Sequence, residues 1–277
     1  MPLKQPVDLV FLHHSVGGQW LADEGPLTEH GGTEIHATHP NGGGLRRQLE
    51  ANNYRVHEAS YKSEIAAATD LFDWVPKFRG HMQDILQVRL QDEKLPAGER
   101  NRVVMFKSCY PNTKLDPLAT AADGGDPAGP QLNQANARAT LRALLPEFRK
   151  HPDVLFVYVT APPMAARPRP ERAYKYLAKK VLGRPTDAEW ADRSAHEARV
   201  LNDWVTSSSG WLSGYELKNV VVFDYFDVLT GNGASDYLAY ATGGGTDSHP
   251  SAAGHRAATA QFIPFLNRAV RQAGVSD

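Results

Sequence analysis

Near the start of the chain, the residues Val7-Asp8-Leu9-Val10-Phe11-Leu12-His13-His14-Ser15-Val16-Gly17-Gly18 join an apolar run to a serine and two glycines. The run is apolar almost without interruption, which is typical of a strand covered by helices on both faces of a parallel sheet. The glycines let the backbone turn sharply just after Ser15. The segment therefore predicts a central strand with a candidate nucleophile at its carboxyl end, although a serine in an ordinary strand-to-loop turn fits equally well.

Further short strands are predicted at Tyr54–Ala59 and at residues 102–106, 153–160 and 219–223. Segments with helical spacing of apolar residues follow the strands, at residues 44–51, 70–90, 131–150, 187–205 and 251–273. In the last of these segments, Pro264 is expected to kink or break the helix. Strands that alternate with helices predict an α/β protein with a five-stranded parallel sheet.

The chain of 277 residues is expected to form a single domain, residues 1–277, with three long loops at residues 17–43, 111–130 and 162–185. All three loops leave the carboxyl ends of predicted strands. Ligands bind at that edge in open α/β sheets, so the loops are expected to surround the functional site.

Charge and composition exclude several classes of protein. The chain has 30 Lys and Arg residues against 31 Asp and Glu residues, so no net field attracts nucleic acid or an anionic membrane. No apolar run approaches the roughly 20 residues that span a bilayer, so no membrane span is expected. The single cysteine, Cys109, excludes an internal disulfide. Residues 1–8 lack the apolar core of a signal peptide, which fits a cytoplasmic protein or a secreted one whose signal has been removed.

Two further segments place reactive side chains after predicted strands. Asn112 follows the third strand, where its amide can face a developing oxyanion or serve only as a turn residue. Asp247 and His249 lie just before the last helix, with a carboxylate two residues from an imidazole. A serine nucleophile needs a histidine base, and an acid fixes the tautomer of that base. With Ser15, these residues predict acyl transfer that requires no cofactor.

Three segments, His13-His14-Ser15, Pro111-Asn112 and Asp247-Ser248-His249-Pro250-Ser251, resemble blocks I, III and V of the SGNH (GDSL-like) hydrolase superfamily in order and spacing. The resemblance implies a flavodoxin-like three-layer α/β/α sandwich and an esterase, lipase or carbohydrate deacetylase. It makes Ser15 the nucleophile and an oxyanion donor through its N–H, Asn112 a second donor, His249 the base and Asp247 the acid. The expected partner is a small-molecule or carbohydrate ester.

The sequence departs from the superfamily pattern at three places. Two histidines precede the serine, which leaves the role of His14 beside the oxyanion or the substrate open. The usual Asp-x-x-His spacing would put the acid at Thr246, so Asp247 needs a different backbone turn, and a Ser-His dyad is the alternative. No glycine follows the second strand, so the backbone N–H of Ala66, or of Ser63, is the expected block II donor.

Other interpretations of single segments stay open. Five histidines in the first 39 residues can build a zinc site for metal-dependent hydrolysis, although their spacing matches no short ligand motif; they are His13, His14, His30, His36 and His39. Thr69 or Asp70 can cap a helix or bind a hydroxylated substrate. A basic run is either a solvated helix face with a hydrophobic underside or a lid over the site; it holds Arg167, Arg169, Arg172, Lys175, Lys179, Lys180 and Arg184, with Tyr174 and Tyr176 between them.

The leading hypothesis is hydrolysis of a small acyl ester, such as an acetyl group on a carbohydrate, through an acyl-serine intermediate. The absence of Gly-x-Ser-x-Gly argues against the nucleophile elbow of α/β-hydrolases. Two alternatives remain: an acyltransferase that uses the same site, and a non-catalytic carbohydrate-binding protein on a degenerate hydrolase scaffold. The oligomeric state is left open.

Overall fold

The computed structural model describes residues 1–28, 31–119, 124–166 and 171–276. The strands in these ranges are β1 (Val7–Leu12), β2 (Asp23–Glu24), β3 (Thr38–His39), β4 (Tyr54–Ala59), β5 (Val88–Leu90), β6 (Glu93–Lys94), β7 (Val103–Phe106), β8 (Leu155–Val159), β9 (Val220–Phe223), β10 (Ala241–Thr242) and β11 (Asp247–Pro250). The α-helices are α1 (Ser15–Leu21), α2 (Leu45–Glu50), α3 (Trp74–Gln87), α4 (Gln134–Arg149), α5 (Ala173–Val181), α6 (Asp187–Thr206), α7 (Tyr225–Leu229) and α8 (Ala252–Gln272). Short 3-10 turns cover Leu71–Asp73, Tyr110–Thr113 and Gly243–Gly245.

The centre of the sheet has flavodoxin-like topology. Strands β4, β1, β7, β8 and β9 lie side by side in that order, and all of them run parallel. When these five strands are numbered by their order in the chain, their order across the sheet is 2-1-3-4-5, which is that of a doubly wound sheet. The predicted fold class, a flavodoxin-like three-layer α/β/α sandwich around a five-stranded parallel sheet, is confirmed. The switch in winding direction falls at β1, the strand that leads to Ser15.

Strand β1 supplies side chains to both hydrophobic cores, because successive residues of a strand point to opposite faces. Val10 and Leu12 belong to the core beneath α3, α4 and α6, whereas Leu9 and Phe11 belong to the core beneath α1, α2 and α8. All four side chains have no exposed surface. This two-sided burial explains why the strand is apolar at nearly every position.

The sheet is wider than the sequence predicted, and the predicted helix 70–90 is too long at both ends. Helix α3 ends at Gln87, and Val88–Leu90 forms β5, which pairs parallel with β4 and antiparallel with β6. The buried side chain of Asn101 donates to the carbonyl of Val88 at 2.8 Å, and its backbone N–H donates to Leu86 at 2.8 Å. These bonds take up carbonyls at the end of the helix and turn the chain into the edge of the sheet.

The break expected at Pro264 is wrong. Helix α8 runs through this residue without interruption. Its buried stripe includes Phe262, Leu266 and Val270, which have no exposed surface. Burying each such side chain contributes about 1.5–3 kcal/mol. Together they outweigh the roughly 3 kcal/mol that an interior proline costs a helix.

The sequence suggested that α5 packs a hydrophobic side against the protein. The structure shows the reverse, with the apolar side chains exposed. None of its residues is buried, and Tyr174, Leu177 and Val181 expose 61%, 62% and 84% of their surface. Its basic side is turned towards the protein instead, where the ion pairs are Lys179 with Glu171 and Asp187, and Lys180 with Glu189. Arg167 and Arg169 of the basic run lie outside the described residues.

No helix in the ranges that the structure describes has both the length and the apolar character needed to cross a bilayer.

Candidate active site

Ser15 is the first residue of α1, at the carboxyl edge of the sheet. The turn that holds it depends on two glycines, whose N–H groups donate to the carbonyl of His14 at 2.9 Å from Gly17 and 3.1 Å from Gly18. A Cβ on Gly17 would lie 2.3 Å from the Cβ of His13, and one on Gly18 would lie 1.8 Å from the carbonyl oxygen of Glu34. Close packing therefore requires glycine at both positions behind the serine.

Ser15, His249 and Asp247 form one chain of hydrogen bonds. Ser15 Oγ lies 3.1 Å from His249 Nε2, and His249 Nδ1 lies 2.8 Å from Asp247 Oδ1. Because an ionised carboxylate only accepts, Nδ1 carries the proton and Nε2 is left to accept from the serine. Burial raises the pKa of Asp247, but hydrogen bonds from the side chain and backbone of His249 outweigh it, so the pKa is lowered overall.

The Asp-x-His spacing is accommodated by an extended strand. Residues two apart on a strand share a face, so Asp247 and His249 leave β11 on the same side. Ser248 points the other way, is buried, and accepts a hydrogen bond from the N–H of Ala165 at 3.0 Å. Before β11, all residues of Gly243–Gly245 have positive φ and fold the chain back against β10. This is the different backbone turn that the sequence required.

Asn112 is held in the 3-10 turn after β7 and is almost fully buried. Its Oδ1 accepts from the N–H of Leu71 at 2.7 Å, and its Nδ2 donates to Asp70 Oδ1 at 2.7 Å. These two partners fix which way the amide points. The nitrogen carries a second hydrogen, for which the described ranges show no acceptor. No hydrogen bond joins Asn112 to Ser15 or His249 in the described ranges.

Asp70 has the capping position that the sequence favoured, since it directly precedes the 3-10 turn Leu71–Asp73. Its N–H donates to Asp73 Oδ2 at 2.8 Å. Its side chain does something that the sequence did not indicate, because it anchors the amide of Asn112.

His14 is joined to the segment predicted to replace block II. Its Nε2 donates to the carbonyl of Ala66 at 2.9 Å, and its ring stacks on Tyr61 with centroids 3.8 Å apart. Burial lowers the pKa of His14 to about 4, so the ring is neutral at neutral pH. The N–H of Ser63 donates to the carbonyl of Ser60 at 3.1 Å and is occupied. Within the described part of the chain, the N–H groups of Ala66 and Ser15 have no acceptor.

Two tyrosines beside the site were missed by the sequence analysis. The phenol of Tyr61 lies next to the hydroxyl of Ser15, and burial raises its pKa to about 12. The ring of Tyr110 meets His249 edge-on at a centroid distance of 5.2 Å. The thiol of Cys109 lies 3.8 Å from Ser15 Oγ. Each of these residues follows closely on the carboxyl end of a central strand, and that position is the signal that could have found them.

His13 supports the serine turn from below. Its Nε2 lies 3.0 Å from Glu58 Oε2, and its Nδ1 lies 2.9 Å from the carbonyl of His14. Arg46 pairs with the other oxygen of Glu58. Burial raises the pKa of Glu58, but the hydrogen bond from His13 and the charge of Arg46 outweigh it and lower the pKa.

The histidines considered for a zinc site have separate partners. His36 faces the carbonyl of Thr28 at 2.9 Å and Glu34 at 3.2 Å, and His39 accepts from the N–H of Asn41 at 2.9 Å. His30 lies outside the described residues. Among the residues that the structure describes, no three His, Cys, Asp or Glu side chains are grouped so that they could hold a metal ion.

Comparison with known proteins gives matches among solved structures. No family model and no curated protein matches the chain. A carbohydrate esterase family 2 enzyme with a carbohydrate-binding domain from Corynascus thermopiles (Myceliophthora fergusii) is similar at 14% identity and a TM-score of 0.40, covering 98% of this chain and 68% of that one. A family two carbohydrate esterase from Clostridium thermocellum is similar at 14% identity and a TM-score of 0.41, covering 98% of this chain and 66% of that one. The acetylxylan esterase Axe2 from Geobacillus stearothermophilus is similar at 14% identity and a TM-score of 0.37, covering 99% of this chain and 97% of that one.

Identities and TM-scores this low do not transfer an activity or a substrate to this chain. The fold is established by the strand order and by the position of the three sequence blocks, all of which follow or flank the carboxyl edge of the sheet. This chain therefore has a flavodoxin-like α/β/α fold, which is the fold implied by the resemblance of its sequence blocks to the SGNH hydrolases.

Proposed function

We propose that the protein is a serine ester hydrolase that removes a small acyl group, such as acetyl, from a carbohydrate. The observation that carries this proposal is the unbroken chain of hydrogen bonds from Ser15 Oγ through the ring of His249 to Asp247 Oδ1. A serine hydroxyl is a weak nucleophile at neutral pH, and a correctly oriented imidazole is what activates it.

In the first half of the reaction, Ser15 Oγ attacks the acyl carbonyl carbon while its proton passes to His249 Nε2. The carbon–oxygen bond to the sugar then breaks, and His249 returns the proton to the departing sugar oxygen. In the second half, His249 takes a proton from water, the resulting hydroxyl attacks the acyl-serine, and Ser15 leaves with that proton. Asp247 stays ionised throughout and stabilises the imidazolium.

Three N–H groups are suited to the negative charge on the carbonyl oxygen. The backbone N–H groups of Ser15 and Ala66 have no acceptor in the part of the chain that the structure describes. The second Nδ2 hydrogen of Asn112 completes the set. Donors of this kind are each worth about 10²–10³ in turnover. His14 acts through Ala66, since its bond to the Ala66 carbonyl holds that segment in place.

The surroundings of Ser15 support a small acyl group. The phenol of Tyr61 and the thiol of Cys109 both approach its hydroxyl, and the ring of Tyr110 closes against His249. We expect these neighbours to limit the length of the acyl chain that fits beside the serine. Aromatic rings at the rim of a polar site also suit the C–H faces of a sugar.

A fluorophosphonate probe and a simple acetate ester test the proposal. The wild type should be labelled at Ser15 and should hydrolyse 4-nitrophenyl acetate, and Ser15→Ala should lose both properties while keeping its thermal midpoint. Ser213→Ala, at an exposed serine, serves as the matched control and should retain both. An unlabelled wild type without turnover would contradict the proposal, and glycan binding that survives Ser15→Ala would then favour a binding protein. Product that partitions to an added alcohol rather than to water would indicate a transferase.

A further inference from the structure

A cavity of about 690 Å³ lies between α5 and α6, next to the proposed active site. Ser15 and His249 do not line it. Its wall instead includes Thr113, the neighbour of Asn112 in the chain, and Ala165, whose N–H donates to Ser248 at 3.0 Å. The cavity thus adjoins the segments that carry blocks III and V. A substrate group bound there would lie against these segments rather than at Ser15 itself.

The acidic side chains of the cavity wall are partly offset by neighbouring cations. Glu171 and Asp187 both pair with Lys179, the former at 2.7 Å. Asp236 pairs with Arg199, whose Nε lies 3.2 Å from its Oδ1. Each of these two cations is shared between two carboxylates, because Arg199 also pairs with Asp227, so about one negative charge remains at each group.

The basic side chains of the same wall are not neutralised. Lys114, Arg172 and Lys175 line the cavity, and none of them has a carboxylate within 4 Å in the described ranges. Lys114 comes from the loop after Asn112, whereas Arg172 and Lys175 come from the start of α5. Cations from two separate segments thus face one space, and the charges of Lys114, Arg172 and Lys175 exceed the roughly two negative charges left on the ion-paired carboxylates.

The rest of the wall is largely aromatic and apolar. Tyr176, Trp190 and Tyr237 line the cavity together with Met164 and Phe226. Rings of this kind pack against the C–H face of a sugar, while an ammonium or guanidinium group binds an oxyanion. A cavity of this size suits one small ligand group.

We propose that this cavity binds an anionic sugar, one that carries a carboxylate or a sulfate, next to the sugar whose ester is cleaved at Ser15. This inference rests on the proposed function and narrows its substrate class from carbohydrate esters to esters of acidic carbohydrates. Lys114, Arg172 and Lys175 bind the anionic group, and the aromatic wall binds the ring.

The test compares three acetylated oligosaccharides of equal length, with a uronic acid, a sulfated sugar or a neutral sugar beside the acetylated residue. We expect kcat/KM for the better anionic substrate to exceed that for the neutral one by about tenfold at low salt, a preference that falls as salt screens the charges. The order of the uronic acid and the sulfated sugar identifies which oxyanion is preferred.

The triple variant Lys114→Gln, Arg172→Gln, Lys175→Gln should lower kcat/KM for the anionic substrate to the neutral level and leave hydrolysis of 4-nitrophenyl acetate unchanged. Lys218→Gln is the matched control, because this exposed lysine lies before β9 at the opposite edge of the sheet. It should change nothing. Equal kcat/KM for anionic and neutral substrates, or a triple variant that keeps the preference, would overturn the inference.

Failure of the proposed function gives a different result, since 4-nitrophenyl acetate would then not be turned over by the wild type. In that case calorimetry with the deacetylated uronic oligosaccharide still tests the cavity. Binding by the wild type that the triple variant loses supports it, and no binding by the wild type, or equal binding by both proteins, overturns it.

Discussion

Asp247 Oδ1 meets His249 Nδ1 at 2.8 Å because both side chains leave the same face of a strand. The same oxygen also accepts the backbone N–H of His249 at 3.1 Å. The carboxylate is thus fixed by two bonds to one residue, although its side chain is 48% exposed. Because side chains two residues apart on a strand point the same way, the acid and the base meet here without a helical turn.

Asp247→Asn should lower kcat by roughly 10²–10⁴-fold with little change in KM, because an amide in this place favours the wrong tautomer of His249. Steady-state kinetics on an acetate ester and a thermal melt check this, and the midpoint should stay within about 2 °C because the residue is half exposed. The double variant Thr246→Asp, Asp247→Asn restores the usual spacing. It should not recover activity, since Thr246 faces back and donates to the carbonyl of Gly243 at 2.8 Å. Near-normal turnover of Asp247→Asn would indicate a Ser-His dyad.

Asn112→Ala should lower kcat by about 10²–10³-fold, as expected for the loss of one oxyanion donor. It should also reduce the free energy of unfolding by about 1–3 kcal/mol, since the N–H of Leu71 and the carboxylate of Asp70 lose a partner. Asp70→Ala separates the two effects, because it removes the anchor and keeps the donor. Its kcat should fall much less at a similar loss of stability in urea titrations. If Asn112→Ala and Asp70→Ala lowered kcat by the same factor, the role of Asn112 would be structural only.

His14→Phe should reduce kcat about tenfold while KM changes little, because the ring can still stack on Tyr61 but no longer donates to the Ala66 carbonyl. His14→Gln keeps a donor and should recover part of the loss. The kcat and KM of the two variants should therefore be compared under the same conditions. A loss confined to KM would instead indicate that His14 binds substrate.

Acid should destabilise the protein partly through His255, which is completely buried and donates from Nδ1 to the carbonyl of Asn41. Burial lowers its pKa to about 3, against about 6.5 in an unfolded chain. Between these values the unfolded chain binds a proton that the folded one does not, so the free energy of unfolding falls as pH falls. Urea titrations from pH 7.5 to about 4.5 should give a shallower pH slope for His255→Asn than for the wild type. Parallel slopes would show that His255 does not titrate on unfolding.

Gly18→Ala should abolish or strongly reduce folding, because the added methyl group would lie 1.8 Å from a backbone oxygen of Glu34. Gly80→Ala is the matched control. Gly80 lies in α3 with nothing within 4 Å of an added Cβ, so this change should stabilise the protein by about 0.5–1 kcal/mol. Yields of folded protein and thermal midpoints distinguish the two. A well-folded Gly18→Ala would show that the serine turn can relax.

The central sheet was predictable from the sequence because β1, β7 and β8 are buried on both faces and β9 is at least partly buried, so the four strands are almost entirely apolar. Strand β5 was not, because its residues continue the apolar pattern of α3. The helix is separated from the strand by contacts with distant residues, such as the buried amide of Asn101, which lies 13 residues from Val88 in the chain. Contacts between distant residues are invisible to local periodicity.

In the site, the three sequence blocks indicated Ser15, Asn112 and His249, and the structure places all three at one edge of the sheet. The partner of His14 could not be predicted, because Ala66 lies 52 residues away and contributes only its backbone. Tyr61 and Tyr110 belong to no recognisable motif, and only the folded chain brings their rings to the serine and the histidine.

The strand at one border of the sheet, β6, has a further consequence for how copies of the protein behave in concentrated solution. It contains only Glu93 and Lys94, both exposed and charged. A second chain that paired with this strand could form hydrogen bonds with only two residues of backbone and would have to desolvate two charged side chains. Short, charged borders of this kind discourage intermolecular strand pairing. We expect this border to resist fibril growth even though the strands behind it are rich in valine and phenylalanine.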